Sequence, residues 1–285
     1  MREKIRKIFF VSSIIVTILA IACIGWYFVV QHLNKEEIED LKDKIIVPID
    51  KDTDKTTETN KGLRYYLIDN QTVQEQYKDL YLENNDFIGW IKINDTNIDY
   101  PVMYTNEEEQ YYLRKNFYKE YSISGTIFAD YYSRFSLERN SDNTILYGHS
   151  MNDGSMFQNI KKYVDEDYYK EHKYITFNTI YQNATYEVIG AYATESHNVD
   201  YEGFDVYINH INMNNELFTE YIEQCKKNTP YNIETSAEYG DELITLSTCS
   251  YHLASGRGRY VVVAKLIDST KIDITQEPIE VINTK

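Results

Sequence analysis

The chain has 285 residues, of which 42% are hydrophobic and 14% aromatic, and it carries a formal charge of −16. That apolar content suffices for the core of one domain of roughly 200 residues with polar extensions, which excludes a wholly disordered chain. The acidic excess is a poor match for phosphate backbones and sets nucleic acid aside as a partner.

Residues 1–7, MREKIRK, form a basic segment ahead of Ile8 to Val30, a run of 23 residues without a charge. At about 1.5 Å per residue the run spans roughly 35 Å, enough for a bilayer core of about 30 Å. Arg2, Lys4, Arg6 and Lys7 precede it, so the positive-inside rule keeps the N-terminus cytoplasmic and sends everything after Gln31 outside the cell. A cleaved signal peptide is the weaker reading. The apolar run exceeds the usual h-region, and bulky Trp26, Tyr27 and Phe28 stand where small residues precede cleavage. The expectation is a single-pass cell-membrane protein with an uncleaved signal anchor at 8–30.

Residues 31–62 read as a short charged helix, LNKEEIEDLKDKI, followed by the polar linker DKDTDKTTETNKG, which holds the next domain off the membrane. Asp52, Asp54, Thr56 and Glu58 imitate a calcium loop, but Thr57 occupies the position where the tight turn requires glycine. No metal site is expected.

From Leu63 to the end at 285 the composition becomes Tyr-rich and apolar, as for one extracellular domain. A helix is predicted over 72–84. Strands are predicted in FIGWIKI, IDYPVM, GTIFAD, NTILYG, YITFNT, ATYEVIGAYAT, DELITLST and RYVVVAKL, whose lengths and β-branched and aromatic content suit them. Helical segments are predicted near 155–163 and 214–227. In the second, Asn214 is a natural N-cap, and Leu217, Phe218, Tyr221, Ile222 and Cys225 recur at helical spacing before Pro230, which puts Cys225 on a buried face. Together these elements predict an antiparallel barrel or sandwich with helical insertions.

With Cys225 assigned to the core, Cys249 is left as an unpaired thiol in an exported chain, at the end of an apolar strand. A thiol attacks carbonyls as its thiolate, and a histidine can shuttle the leaving group's proton. Of the six histidines, His32 lies at the membrane edge, His172 in the charged YYKEHKY, and His197 and His210 in polar sequence that reads as solvated surface. His252 sits in a loop close after the cysteine. His149 differs, because it follows Gly148 at the end of the NTILY strand, where it can be held rigidly. Arg257 or Arg259 could bind the oxygen that becomes negative in a tetrahedral intermediate. Residues two apart share a strand face, so parity does not choose between them.

TLSTC, an arginine ten residues later, YVVVAK, and YGHSMNDGSMF together resemble the sortase family of Gram-positive surface transpeptidases, specifically class B. The resemblance extends over roughly residues 63–268, including GWIKINDTNIDYPVM, YYLRKNF and GTIFAD. It implies a mainly β fold, a closed eight-stranded β-barrel with N-terminal helices and a helical insertion before the cysteine strand. It also implies Cys249 as nucleophile, His149 as general acid/base and Arg259 as the oxyanion or substrate-positioning residue, with no cofactor. Tyr147 and Ser247, beside the catalytic positions, are candidates for lining the substrate groove. The implied partners are secreted proteins bearing a C-terminal sorting motif and the amine of a peptidoglycan precursor of the lipid II kind. Two rivals share these residues: a membrane-anchored cysteine protease releasing its product to water, and a non-catalytic sortase-fold surface adhesin.

Overall fold

The computed structural model describes residues 2–46, 62–197, 204–207, 210–249 and 255–284. Most of the expected linker, the rejected calcium pattern, and His252 lie outside them. The chain divides into two units, 1–44 and 45–285.

The first unit is a single helix, α1 (Arg2–Asp43). The sequence reading divided it at residue 31 into an anchor and a separate charged helix. No glycine or proline lies between Trp26 and Asp43 to interrupt the backbone ladder. Polar contacts one turn apart, such as His32 to Glu36 at 3.2 Å and Lys42 to Glu39 at 3.0 Å, carry the helix on. Its middle is long and apolar enough to cross a membrane.

The second unit opens with a hairpin of β1 (Tyr65–Ile68) and β2 (Gln71–Gln74). Asp69 and Asn70 between them adopt φ of 46° and 67°, as a two-residue type I′ turn requires. This turn overrides the start of the predicted 72–84 helix, which survives as a 3-10 turn at Glu75–Tyr77 and α2 (Lys78–Glu83).

Next come β3 (Phe87–Lys92), β4 (Asp99–Met103), β5 (Ile127–Ala129) and β6 (Asn143–Tyr147). A 3-10 helix at Gln158–Val164 leads to α3 (Glu166–Glu171), whose first turn is capped by the Asp165 carboxylate. Two further strands are β7 (Tyr174–Thr179) and β8 (Gln182–Glu195). The chain continues through α4 (Asn215–Asn228) to β9 (Leu243–Cys249), β10 (Gly258–Lys271) and β11 (Val281–Ile282). All eight predicted strands form, and they close a barrel in the order β10-β8-β7-β3-β4-β5-β6-β9. β11 pairs with β1 to complete a separate three-stranded sheet.

The barrel is not wholly antiparallel, as the sequence reading had it. β4 pairs with β5, and β6 with β9, in parallel. Parallel neighbours need long crossovers, and residues 104–126 and 148–242 supply them. The second crossover decides the site. Because β6 and β9 run side by side in the same direction, their C-terminal ends emerge on one rim.

Side chains such as Ile91, Val102, Ile127, Leu146, Phe177, Leu246 and Val262 are fully buried in the barrel. α4 packs on β8, with Asn214 capping its first turn through Leu217 N at 2.9 Å. It buries Phe218, Tyr221, Ile222 and Cys225 as their spacing predicted. A Cβ on Gly190 of β8 would stand 2.1 Å from the Cys225 sulfur, so glycine is what lets this helix approach.

Candidate active site

Cys249 closes β9, and across the antiparallel ladder its directly opposed partner on β10 is Arg259. Opposed residues project to the same face of a sheet. Arg257, which strand parity could not separate from Arg259, is engaged elsewhere. Its Nε and Nη2 reach Glu195 Oε1 at 3.0 and 2.9 Å, and Ser255 Oγ donates to the same oxygen at 3.0 Å. Arg259 instead lines the cleft that holds Cys249, with its Nη1 donating to Gly258 O at 2.8 Å.

His149 follows β6 by two residues, and three contacts fix it. Gly148 N donates to Ser247 O at 3.1 Å, Thr248 Oγ1 donates to Gly148 O at 2.7 Å, and Phe157 N donates to His149 O at 2.8 Å. A Cβ at 148 would run into Ile127 and the Phe157 ring at 2.4 and 2.8 Å, so only glycine admits this approach. The imidazole is half-buried, and its Nε2–H donates to Leu113 O at 2.9 Å, which leaves Nδ1 as the basic nitrogen of the neutral ring. Burial lowers its pKa from the ordinary value, the Leu113 carbonyl opposes that shift, and the nearby Arg114 guanidinium adds to it.

The cleft is about 380 Å³ and includes Cys249, His149, Arg259, Tyr147 and Ser247 in its lining. The structure therefore brings all five candidate residues together. Tyr147 and Ser247 sit opposite one another in the β6–β9 pairing. Tyr147 Oη donates to Asp130 Oδ2 at 2.8 Å, and the Ser247 and Tyr207 hydroxyls are 2.7 Å apart. Tyr207, Asp130 and Leu113 are lining residues that sequence reasoning missed. Asp130 had a weak signal, as an acid one residue past the GTIFA strand. Tyr207, one of 28 tyrosines, had none.

Two of the remaining histidines are not the solvated surface groups expected. His210 is only 5% exposed, with its ring against Phe204 and Tyr221, and burial lowers its pKa. His197 is half-buried, with Nδ1 3.1 Å from the buried Asp205 carboxylate. Among the described residues, Phe204 and His210 turn inward against Tyr221 of α4 and Tyr207 enters the cleft, which the polar sequence concealed. His172 Nδ1 meets Asn94 O at 3.1 Å, on the surface as expected. Burial pushes the Cys225 thiol up to about 12, which marks it as inert packing. Among the described residues no group of His, Cys, Asp and Glu side chains could hold a metal.

A thiol, an imidazole and a guanidinium on one rim of a closed barrel are the groups that cysteine acyl transfer requires. A sortase-domain family model matches residues 91–267. The chain is 34% identical over 198 residues to sortase B of Listeria monocytogenes, covering 70% of this chain and 76% of that one. It is 33% identical over 197 residues to sortase B of Staphylococcus aureus, covering 68% and 76%. Among solved structures, sortase B from B. anthracis superposes with a TM-score of 0.64 at 29% identity, covering 85% of this chain and 99% of that one. The Staphylococcus aureus sortase B–substrate complex superposes with a TM-score of 0.59 at 30% identity, covering 70% and 87%. The chain belongs to the sortase family, and its likeness falls on class B. Sortases are cysteine transpeptidases, and membership assigns that general activity.

Proposed function

We propose that the protein cleaves the C-terminal sorting signal of secreted proteins through a thioester on Cys249 and passes the acyl group to an amine of a cell-wall precursor. The observation that carries this reading is the opposition of Cys249 and Arg259 across β9 and β10, with His149 on the same rim. Neutral His149 takes the thiol proton, and the Cys249 thiolate attacks the scissile carbonyl. Arg259 balances the charge that develops on the carbonyl oxygen. The tetrahedral species collapses to a thioester as the imidazolium returns its proton to the departing amine. An incoming amine then attacks the thioester, gives a proton to His149, and leaves as an amide while Cys249 recovers its thiol.

Tyr147 and Ser247 line the groove in which the peptide lies. That a sortase B has been solved in complex with a substrate supports substrate binding by this chain. A peptidoglycan precursor of the lipid II kind is the acceptor on the strength of class B likeness. The apolar stretch of α1 anchors the chain, with the basic N-terminus in the cytoplasm and the barrel outside the cell.

The test is a sorting-signal peptide mixed with the full chain and an amine acceptor. Wild type should accumulate a thioester on Cys249 by intact mass and release an amine adduct, while Cys249→Ala gives neither. Cleavage without adduct at saturating acceptor would make the protein a protease. Wild-type function retained by Cys249→Ala would leave only the adhesin reading.

A further inference from the structure

We propose that Asp205 is a positioning residue that sets the peptide groove by clamping Tyr207 against the nucleophile's strand. The inference rests on the functional reading above and extends it to a residue with no part in the chemistry.

Asp205 is 2% exposed. A carboxylate removed from water is costly unless its oxygens are taken up by donors. Here three donors converge. Oδ2 accepts from His197 N at 2.6 Å and from His197 Nδ1 at 3.1 Å, and Oδ1 accepts from Tyr207 N at 2.9 Å. One side of the clamp is thus fixed to the barrel, because His197 lies two residues beyond β8 and the preceding Ser196 N donates to Arg257 O at 3.0 Å. The other side holds the backbone of Tyr207.

From that anchorage the Tyr207 side chain enters the cleft wall. Its hydroxyl meets Ser247 Oγ at 2.7 Å, and its ring tilts against Tyr147 with centroids 5.9 Å apart. Ser247 precedes Cys249 by two residues on β9, so it shares a strand face with the nucleophile. A peptide acylating Cys249 therefore passes a wall whose position is decided by a carboxylate outside the cleft. Asp205 does not line the cleft, whereas Ser196 and Tyr207, on either side of the clamp, both do. With the clamp loosened, the thiol, imidazole and guanidinium keep their own supports on β6, β9 and β10. What is lost is the ordering of Tyr207 before substrate arrives, a cost charged to peptide binding.

The experiment uses the full chain in detergent micelles, with Asp205→Asn and Tyr207→Phe beside wild type. The probe is a threonine-containing peptide copied from the sorting signal of a protein secreted by the same cell. Asp205→Asn should raise KM about tenfold while kcat falls less than about threefold, the split expected when ground-state positioning is removed. Tyr207→Phe should raise KM by a smaller factor. Labelling of Cys249 by a small methanethiosulfonate should stay within about twofold of wild type, because that reagent needs no groove. Amide exchange should quicken at His197 and Tyr207 and stay slow at Leu246 and Val262 in the barrel.

Quickened exchange at both clamp amides with an unchanged KM would overturn the proposal. So would loss of protection at Leu246 and Val262, since Asp205 would then be a general stability residue. Failure of the parent reading is separately visible, because wild type would form no thioester on Cys249 although the exchange pattern at His197 and Tyr207 still reported the clamp.

Discussion

Cys249 and Arg259 are directly opposed residues of adjacent antiparallel strands, while Arg257, just before the start of β10, is bound to Glu195. The two arginines therefore have separable roles. Arg259→Ala should lower kcat by about 10²- to 10³-fold, the usual loss when a donor to a developing oxyanion is removed. Arg257→Ala removes an ion pair at the surface. It should leave stability nearly unchanged and kcat within about threefold. Steady-state kinetics and thermal unfolding of the two variants provide the comparison, and equal losses of kcat would remove the distinction.

His149 should titrate below the ordinary histidine value of about 6.5, because burial and the Arg114 charge both disfavour its imidazolium. Arg114→Gln removes one of those causes and should move the midpoint upward, as read from the ring proton resonances of His149. The linkage has a definite sign. A histidine harder to protonate in the folded than in the unfolded state favours folding at neutral pH. That contribution is lost as pH falls below about 6.5 towards the folded midpoint. A wild-type midpoint at or above the ordinary value would contradict this electrostatic picture.

Gly190 and Cys225 should be strongly non-additive. Gly190→Ala drives a methyl group to within 2.1 Å of the sulfur and should destabilise by about 1–3 kcal/mol. Cys225→Ala should cost about 1–2 kcal/mol for the lost packing while turnover persists. In the double variant the alanine at 225 vacates the space that the alanine at 190 needs, so the total should fall well short of the sum. Denaturant unfolding of the four proteins measures the coupling.

Removal of residues 1–31 should release the protein from membranes into the soluble fraction, since the long apolar stretch lies in α1. The full chain should resist carbonate extraction. A truncated chain that stays in the pellet would indicate a second membrane attachment.

The legible part of this fold is the part whose periodicity is local. Runs such as YVVVA and TILYG announce strands from their β-branched and aromatic residues, and the spacing of Phe218, Tyr221, Ile222 and Cys225 announces both a helix and its buried face. β1, β2 and β11 carry little such signal, because strands of two to four residues depend on one another for pairing. Strand direction was also hidden. The parallel match of Tyr147 with Ser247 depends on residues a hundred positions apart, and no short window contains it. Cys249 and His149 could be selected from chain context, and resemblance singled out Arg259. Burial of His210 against Tyr221 and entry of Tyr207 into the cleft are contacts between residues distant in sequence, which polar composition alone misrepresents.

The parallel pairing of β6 and β9 has a consequence for when the protein becomes reactive. His149 and Cys249 meet only after the chain between them has folded back across the barrel, and Arg259 arrives later still from the following strand. Closing so long a loop is slow and entropically opposed until the strands on either side are in register. Cys249 is residue 249 of 285 and Arg259 follows it by ten residues, so the three groups come together only once nearly the whole chain is available to fold. Topology alone therefore keeps Cys249, His149 and Arg259 apart until the barrel closes, and a chain folded short of that point lacks the assembled rim.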